Sequence, residues 1–214
     1  MSFARITALR DKKASLLILA IGLSASYMPL FGENIAQVSE KHPAVAMVTP
    51  SPRLDDGWRV ANGGYVTVYY DAQADLASIE HRLKKRGAFA SWGRDLAPTL
   101  TQEERLVYRL DLLFERVMGM LDMYPPGISV KVKIFKGRAA LAKEYQKIFG
   151  TSTDERAFYI HRHRTIYTSE EDISDYLIAH EMGHVVIDHY FPSLPPGKVA
   201  EILASYVDVH LEEF

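Results

Sequence analysis

The sequence predicts a single α+β domain in which a small mixed or antiparallel sheet packs on helices. Segments rich in β-branched and aromatic residues alternate along the chain with amphipathic segments of helical period. With 214 residues, 48% of them hydrophobic, the chain is long enough for one well-buried domain and too short for two comfortable ones. We expect this domain over residues 63–214, after an irregular, proline-containing linker over residues 26–62.

The first half of the domain contains three predicted elements. Residues 65–70 are β-branched and aromatic and lie between glycine and aspartate, which is typical of a strand. Residues 74–86 have apolar positions at helical spacing and a basic end. Residues 101–104 form a capping box that opens a long helix, and the Pro-Pro-Gly segment at 125–127 must stop it.

The second half continues the alternation of strands and helices. Residues 128–135 predict a second strand, and residues 138–149 predict a helix. Two short apolar segments, 157–160 and 165–168, flank the basic tetrapeptide 161–164. We expect these two segments to form a hairpin or two separate short strands.

An H-E-x-x-H motif lies in an apolar, helix-like segment near the end of the chain. His180 and His184 are four residues apart, so a helix brings both imidazoles to one face, where they can reach a single cation. Glu181 lies beside them, placed to take a proton from a water on that metal. The alternative is a pair of histidines that only pack or face solvent. The spacing favours the metal site.

Two histidines do not complete a catalytic zinc site, so a third protein ligand is needed. The longer metzincin pattern H-E-x-x-H-x-x-G-x-x-H is excluded, because Ile187 takes the glycine position and Tyr190 takes the last histidine position. His189 lies roughly opposite His180 on the same helix. We therefore interpret His189 as a surface or helix-end histidine.

Glu201 is the stronger candidate for the third ligand. The proline-rich residues 192–197 must end the first helix, and residues 198–208 predict a second, antiparallel helix that carries Glu201 back over the histidine pair. Ser205 and Asp208 share the face of Glu201 and are candidates to hydrogen-bond the free imidazole nitrogens. The alternative for Glu201 is a solvated helix carboxylate.

Residues 201–208 (E-I-L-A-S-Y-V-D) resemble the E-G-x-A-x-Y-V-E segment of gluzincins, the zinc peptidases that combine H-E-x-x-H with a distant glutamate. The compact peptidase-MA-like domains are the most similar, over about residues 157–210. The resemblance implies a zincin-like catalytic domain that binds one Zn²⁺ ion, with Glu181 as general base. The metal ligands that it implies are His180, His184 and Glu201.

The chain also departs from the gluzincin pattern. Ile202 replaces the usual glycine, and no G-x-M-E-N motif for binding a substrate amine is present, so aminopeptidase activity is not implied. Since 13 residues follow Glu201, we expect no C-terminal domain of the kind that supplies transition-state donors in larger gluzincins. An endopeptidase is favoured because no motif that captures a chain terminus is seen.

These observations predict a zinc-dependent, peptidase-like hydrolase acting on a peptide or protein substrate. The metal lowers the pKa of a water, Glu181 takes its proton, and the hydroxide attacks a peptide carbonyl. The developing oxyanion needs a further donor. The sequence does not choose among the candidates, which are Tyr206, Tyr159, His161, His163 and His210. The alternative function is a catalytically inactive zinc-binding interaction module of the same fold.

The N-terminus predicts export. A basic segment precedes the apolar residues 14–25, a pattern typical of a signal peptide over residues 1–25. Alternatively, the uncharged residues 14–32 remain as a membrane anchor, or this segment is a buried helix. In the first two cases the domain is periplasmic, secreted or anchored at the membrane surface.

Charge and cysteine content exclude several partners. The net charge is −2, and the one basic run, residues 82–86, is most simply the solvated end of a helix, so no nucleic-acid partner is expected. The chain contains no cysteine, which excludes disulfides and thiolate zinc sites. The oligomeric state is not predicted.

Overall fold

The computed structural model describes residues 57–83 and 100–212. The signal peptide or anchor predicted over residues 1–25 and most of the linker predicted over residues 26–62 lie outside the described residues. Among the helices that are described, none combines the length and apolar character needed to cross a membrane.

The described residues contain a five-stranded mixed sheet, which confirms the predicted combination of helices with a small mixed sheet. The strand order is β1-β2-β3-β5-β4, with the inner pairs β2–β3 and β3–β5 parallel and the outer pairs β1–β2 and β4–β5 antiparallel. The strands are β1 (Trp58–Asn62), β2 (Val66–Asp71), β3 (Val130–Phe135), β4 (Ala157–Ile160) and β5 (Thr165–Ser169).

Five α-helices accompany the sheet in the described part of the chain, and the sequence predicted each of them. The capping box is present at the start of α2: Thr101 Oγ1 accepts a hydrogen bond from the Glu104 amide at 3.2 Å, and the Glu104 carboxylate accepts one from the Thr101 amide at 2.6 Å. The helices are α1 (Leu76–Leu83), α2 (Gln102–Leu121), α3 (Arg138–Phe149), α4 (Asp175–Tyr190) and α5 (Gly197–His210).

Strand β1 corrects the predicted linker over residues 26–62, because its last five residues, Trp58–Asn62, belong to the sheet. This segment pairs along its whole length with β2, and Trp58 packs edge-on against Phe135 with ring centroids 5.0 Å apart. The segment is short and its apolar alternation covers only Trp58 to Val60, so its pairing in the folded sheet decides that it is a strand.

Helix α2 fixes the ends of the two helices that follow the hairpin. Its Arg109 lies 3.4 Å from Asp175, the first residue of α4, and both side chains are buried. Its Arg116 donates to the backbone carbonyl of Leu211, just after α5, at 3.2 Å. These contacts hold the N-terminus of α4 and the C-terminus of α5 against the same helix.

Strands β4 and β5 form the expected hairpin, and they place the start of the basic tetrapeptide beside α4. A 3₁₀ turn over His161–His163 and a left-handed Arg164, with φ of 47°, connect the two strands. Strand β4 has β5 as its one neighbour in the described sheet. Strand β4 is therefore an edge strand of the described sheet, and its Tyr159 contacts Asp188 of α4.

Candidate metal centre

Helices α4 and α5 run antiparallel and bring three predicted ligands together. His180, early in α4, contacts Asp208, late in α5, whereas His184, one turn further along α4, contacts Glu201 near the start of α5. This pairing of early with late residues is the antiparallel arrangement that the sequence predicted. It brings Glu201 over the two imidazoles.

The nearest ligand atoms of the three residues lie at distances close to those around a tetrahedral ion. The Nε2 atoms of His180 and His184 are 3.2 Å apart. Glu201 Oε1 lies 3.4 Å from His184 Nε2, and Glu201 Oε2 lies 3.6 Å from His180 Nε2. Metal–ligand bonds of about 2.0–2.1 Å at tetrahedral angles separate ligand atoms by about 3.3–3.4 Å. The two imidazoles and the two oxygens of the Glu201 carboxylate therefore converge closely enough to hold one metal ion.

A close contact between small residues permits this approach of the two helices. Gly183 lies between the two histidines in sequence, and a Cβ at this position would be 3.3 Å from the Ala204 Cα. Ala204 is itself fully buried. Larger residues at either position would separate α5 from α4 and move Glu201 away from the imidazoles.

Asp208 orients the first imidazole. His180 Nδ1 donates a hydrogen bond to Asp208 Oδ2 at 2.9 Å, and this bond raises the pKa of His180. With the proton of the neutral ring on Nδ1, the Nε2 lone pair is free to bind a metal. Ser205, the other candidate for this role, is exposed and has no hydrogen bond to either imidazole in the described structure.

Glu181 has the environment of a general base. Its side chain is buried beside the ligand cluster and lines the cleft described below. Burial, supported by the nearby charge of Glu201, raises the pKa of Glu181 to about 7. A carboxyl with this pKa can both accept and return a proton near neutral pH.

The ligand cluster opens into a cleft of about 580 Å³, and two candidate donors from the hairpin also line it. Tyr159 donates from its hydroxyl to Asp188 Oδ2 at 3.0 Å, and His161 Nδ1 bonds to the same oxygen. The Asp188 side chain is buried, whereas His161 is largely exposed.

Asp188 is a residue of this site that the sequence analysis did not single out. It follows His184 by four residues on α4, so it continues the face that carries both histidines. Helical spacing was therefore a usable signal for Asp188. Its two partners, Tyr159 and His161, come from the hairpin, and the position of the hairpin could not be predicted from helical spacing.

The remaining candidates lie elsewhere in the described structure. Tyr206 stacks on His210 with ring centroids 4.0 Å apart on the outer side of α5, and neither lines the cleft. His163 bonds to the Tyr167 hydroxyl at 3.1 Å within the hairpin. His189 donates to a carbonyl of its own helix, outside the ligand cluster, as the sequence predicted.

Comparisons of the chain with protein-family models, with curated proteins and with solved structures find no match. The support for a metal centre is therefore the arrangement of this chain's own residues. In the described residues, one group of three histidines or carboxylates has ligand atoms within 4.8 Å of one another, and it consists of His180, His184 and Glu201.

Proposed function

We propose that this protein is a zinc-dependent, peptidase-like hydrolase with a gluzincin-type centre in a zincin-like domain. The observation that carries the proposal is the convergence of His180, His184 and Glu201, whose nearest ligand atoms are 3.2 to 3.6 Å apart, with Glu181 buried beside them. The open cleft at this cluster is of the size that ligand sites have, roughly 300–1,000 Å³. A basic and then apolar N-terminal segment supports a location in the cell envelope or exterior.

The ligands of the ion are His180, His184 and Glu201. A zinc ion bound there supplies a Lewis acid that lowers the pKa of water and polarises a carbonyl oxygen. Asp208 keeps the His180 ring in the tautomer that binds through Nε2. The carboxylate of Glu201 offsets part of the charge of the ion.

Glu181 is the proton acceptor and donor of the reaction. It takes a proton from the water that attacks the peptide carbonyl and then passes this proton to the leaving amine. Burial raises its pKa, which makes the carboxylate a better proton acceptor than an exposed glutamate.

His161 is the group that we assign to the developing oxyanion. Its Nδ1 is occupied by Asp188 and its ring lines the cleft, so an Nε2 that carries a proton would donate to an oxyanion there. Tyr159 donates its single hydroxyl proton to the same carboxylate, and burial raises the pKa of this hydroxyl. Tyr159 therefore holds Asp188 in position for His161.

The experiment that tests this function compares the zinc-loaded, tag-free protein with its Glu181→Gln variant on a diverse peptide library. We expect the wild type to cleave internal peptide bonds, and the variant to keep its zinc and lose activity by a factor of about 10²–10⁴. Glu171→Gln, at an exposed position outside the cleft, is the matched control. Full activity in Glu181→Gln would remove Glu181 from the mechanism. No cleavage by the zinc-loaded wild type would leave the inactive zinc-binding module as the function.

A further inference from the structure

The cleft has an apolar wall that the proposed chemistry does not use. Tyr145 and Phe149, near the end of α3, and Phe158 of β4 line it together with the ligand cluster. From the turn between α4 and α5, Leu194 and Pro195 add further apolar surface. The cleft therefore joins a polar, metal-binding part to an apolar part.

The aromatic rings of this wall hold one another in place. Tyr145 packs edge-on against Phe158 with centroids 5.0 Å apart, and it lies 4.4 Å from Phe149. Phe158 in turn stacks on Tyr167 of β5 at 4.9 Å with the rings 9° from parallel. This support reaches into the sheet, so the rings form a fixed surface.

Phe149 is exposed although it belongs to this cluster. It is 47% exposed, whereas Phe158 below it is 9% exposed. Leu194 is 60% exposed. Large apolar side chains that are fixed, exposed and grouped around one cleft are typical of a ligand-binding surface, because a bound ligand buries their apolar area.

One carboxylate of the cleft favours an uncharged side chain. Glu155 lines the cleft and has no part in the proposed chemistry. An acidic side chain of a substrate would be repelled by this carboxylate, whereas an uncharged ring would bury its surface in the cleft at no electrostatic cost.

We propose that the aromatic wall formed by Tyr145, Phe149 and Phe158 is a specificity subsite for a large apolar side chain, aromatic or leucine-like, of a peptide bound at the metal centre. This inference rests on the proposed function for its peptide substrate and names the substrate class of that site. The side chain belongs to a residue close to the scissile bond, because the wall and the ligand cluster line one cleft.

Two peptides that differ at one position test the subsite. They carry phenylalanine or alanine at the residue flanking the bond that the library digest identifies. Burial of a phenyl ring favours the phenylalanine peptide, and we expect its kcat/KM to be about 10- to 100-fold higher with the wild type. Phe149→Ala should lose most of this preference, measured as the ratio of kcat/KM for the phenylalanine peptide to kcat/KM for the alanine peptide.

Two further variants keep the comparison interpretable. Leu194→Ser changes another apolar residue of the cleft at an exposed position, so it should reduce the preference without unfolding the protein. Tyr124→Ala removes an exposed aromatic ring outside the cleft and should leave the preference unchanged. Equal losses on both peptides in Phe149→Ala and Leu194→Ser would overturn the proposal.

A binding measurement separates this proposal from the proposed function. Fluorescein-labelled forms of the two peptides are titrated with zinc-loaded Glu181→Gln, with and without Phe149→Ala, and fluorescence polarisation is recorded. If no peptide is cleaved by the wild type, the pair is chosen from an unstructured sequence with one phenylalanine. Tighter binding of the phenylalanine peptide that depends on Phe149 supports the subsite even if hydrolysis fails. Equal affinities overturn it, even if hydrolysis is observed.

Discussion

Gly183 of α4 packs directly against Ala204 of α5, and a Cβ on the glycine would lie 3.3 Å from the Ala204 Cα. This contact lies between the two histidine positions of the motif. Because Glu201 is three residues before Ala204 on α5, the distance between the helices at this contact sets the distance between the carboxylate and the imidazoles. The metal centre therefore depends on a packing contact that contains no ligand.

Gly183→Ala should weaken metal binding without unfolding the protein. The added methyl must move a backbone atom of α5 by a few tenths of an ångström, which shifts Glu201, whereas alanine itself favours the helix by roughly 1 kcal/mol. We expect at least a tenfold loss of zinc affinity in a competitive chelator titration. Gly119→Ala in α2, where the Cβ would meet an ordinary contact at 3.6 Å, is the matched control and should keep wild-type affinity.

Asp208→Ala should lower zinc affinity by about 10- to 100-fold, because the His180 ring loses the acceptor that fixes its orientation. Ser205→Ala, one turn away on the same helix, should have no effect, since Ser205 is exposed and has no hydrogen bond to either imidazole in the described structure. Chelator titration of both variants checks this. A larger loss of zinc affinity in Ser205→Ala than in Asp208→Ala would assign the orienting role to Ser205.

His161→Ala should lower kcat/KM by about 10²–10³ while zinc content stays at the wild-type level, because the oxyanion loses its donor. Tyr159→Phe should cost less, since its hydroxyl acts through Asp188. His163→Ala, two residues along the hairpin and outside the cleft, serves as the control. If His161→Ala and His163→Ala behave alike, the oxyanion donor lies elsewhere.

The free energy of unfolding should decrease as the pH rises from about 4 to about 6, because of Asp175. Burial raises the pKa of this carboxyl to about 6, against the nearby Arg109 cation, which lowers it. The folded protein therefore holds the proton more tightly than the unfolded chain. This contribution is fully present below the unfolded pKa of about 3.9 and is lost as the pH rises through about 6.

The matching measurement is urea unfolding of the wild type and Asp175→Asn across this range. The wild type should lose about 2–3 kcal/mol relative to the variant as the pH rises. If the unfolding free energies of the wild type and of Asp175→Asn change in parallel with pH, Asp175 does not titrate in this interval.

Much of the metal centre was predictable because it depends on helical spacing. The i, i+4 histidines, the turn at the prolines and the return of Glu201 each follow from local pattern. The choice between Ser205 and Asp208 did not follow. On a helix they lie roughly 60° apart, on either side of Glu201, and only the packing of α4 against α5 decides which faces His180.

The parts that were not predictable are tertiary. Strand β1 has a weak pattern and exists through its pairing with β2. The aromatic wall joins residues from α3 and β4, and each ring by itself has the pattern of a core residue. Their meeting at the cleft depends on the hairpin that carries Tyr159 to α4.

The most direct test of the central claim is the zinc content of the tag-free protein, measured by mass spectrometry after exhaustive dialysis, for the wild type and for Glu201→Ala. We predict one zinc per chain in the wild type and a strong loss in the variant, because two imidazoles alone bind the ion weakly. A wild type without zinc, or a variant that retains one zinc per chain, would contradict the centre formed by His180, His184 and Glu201.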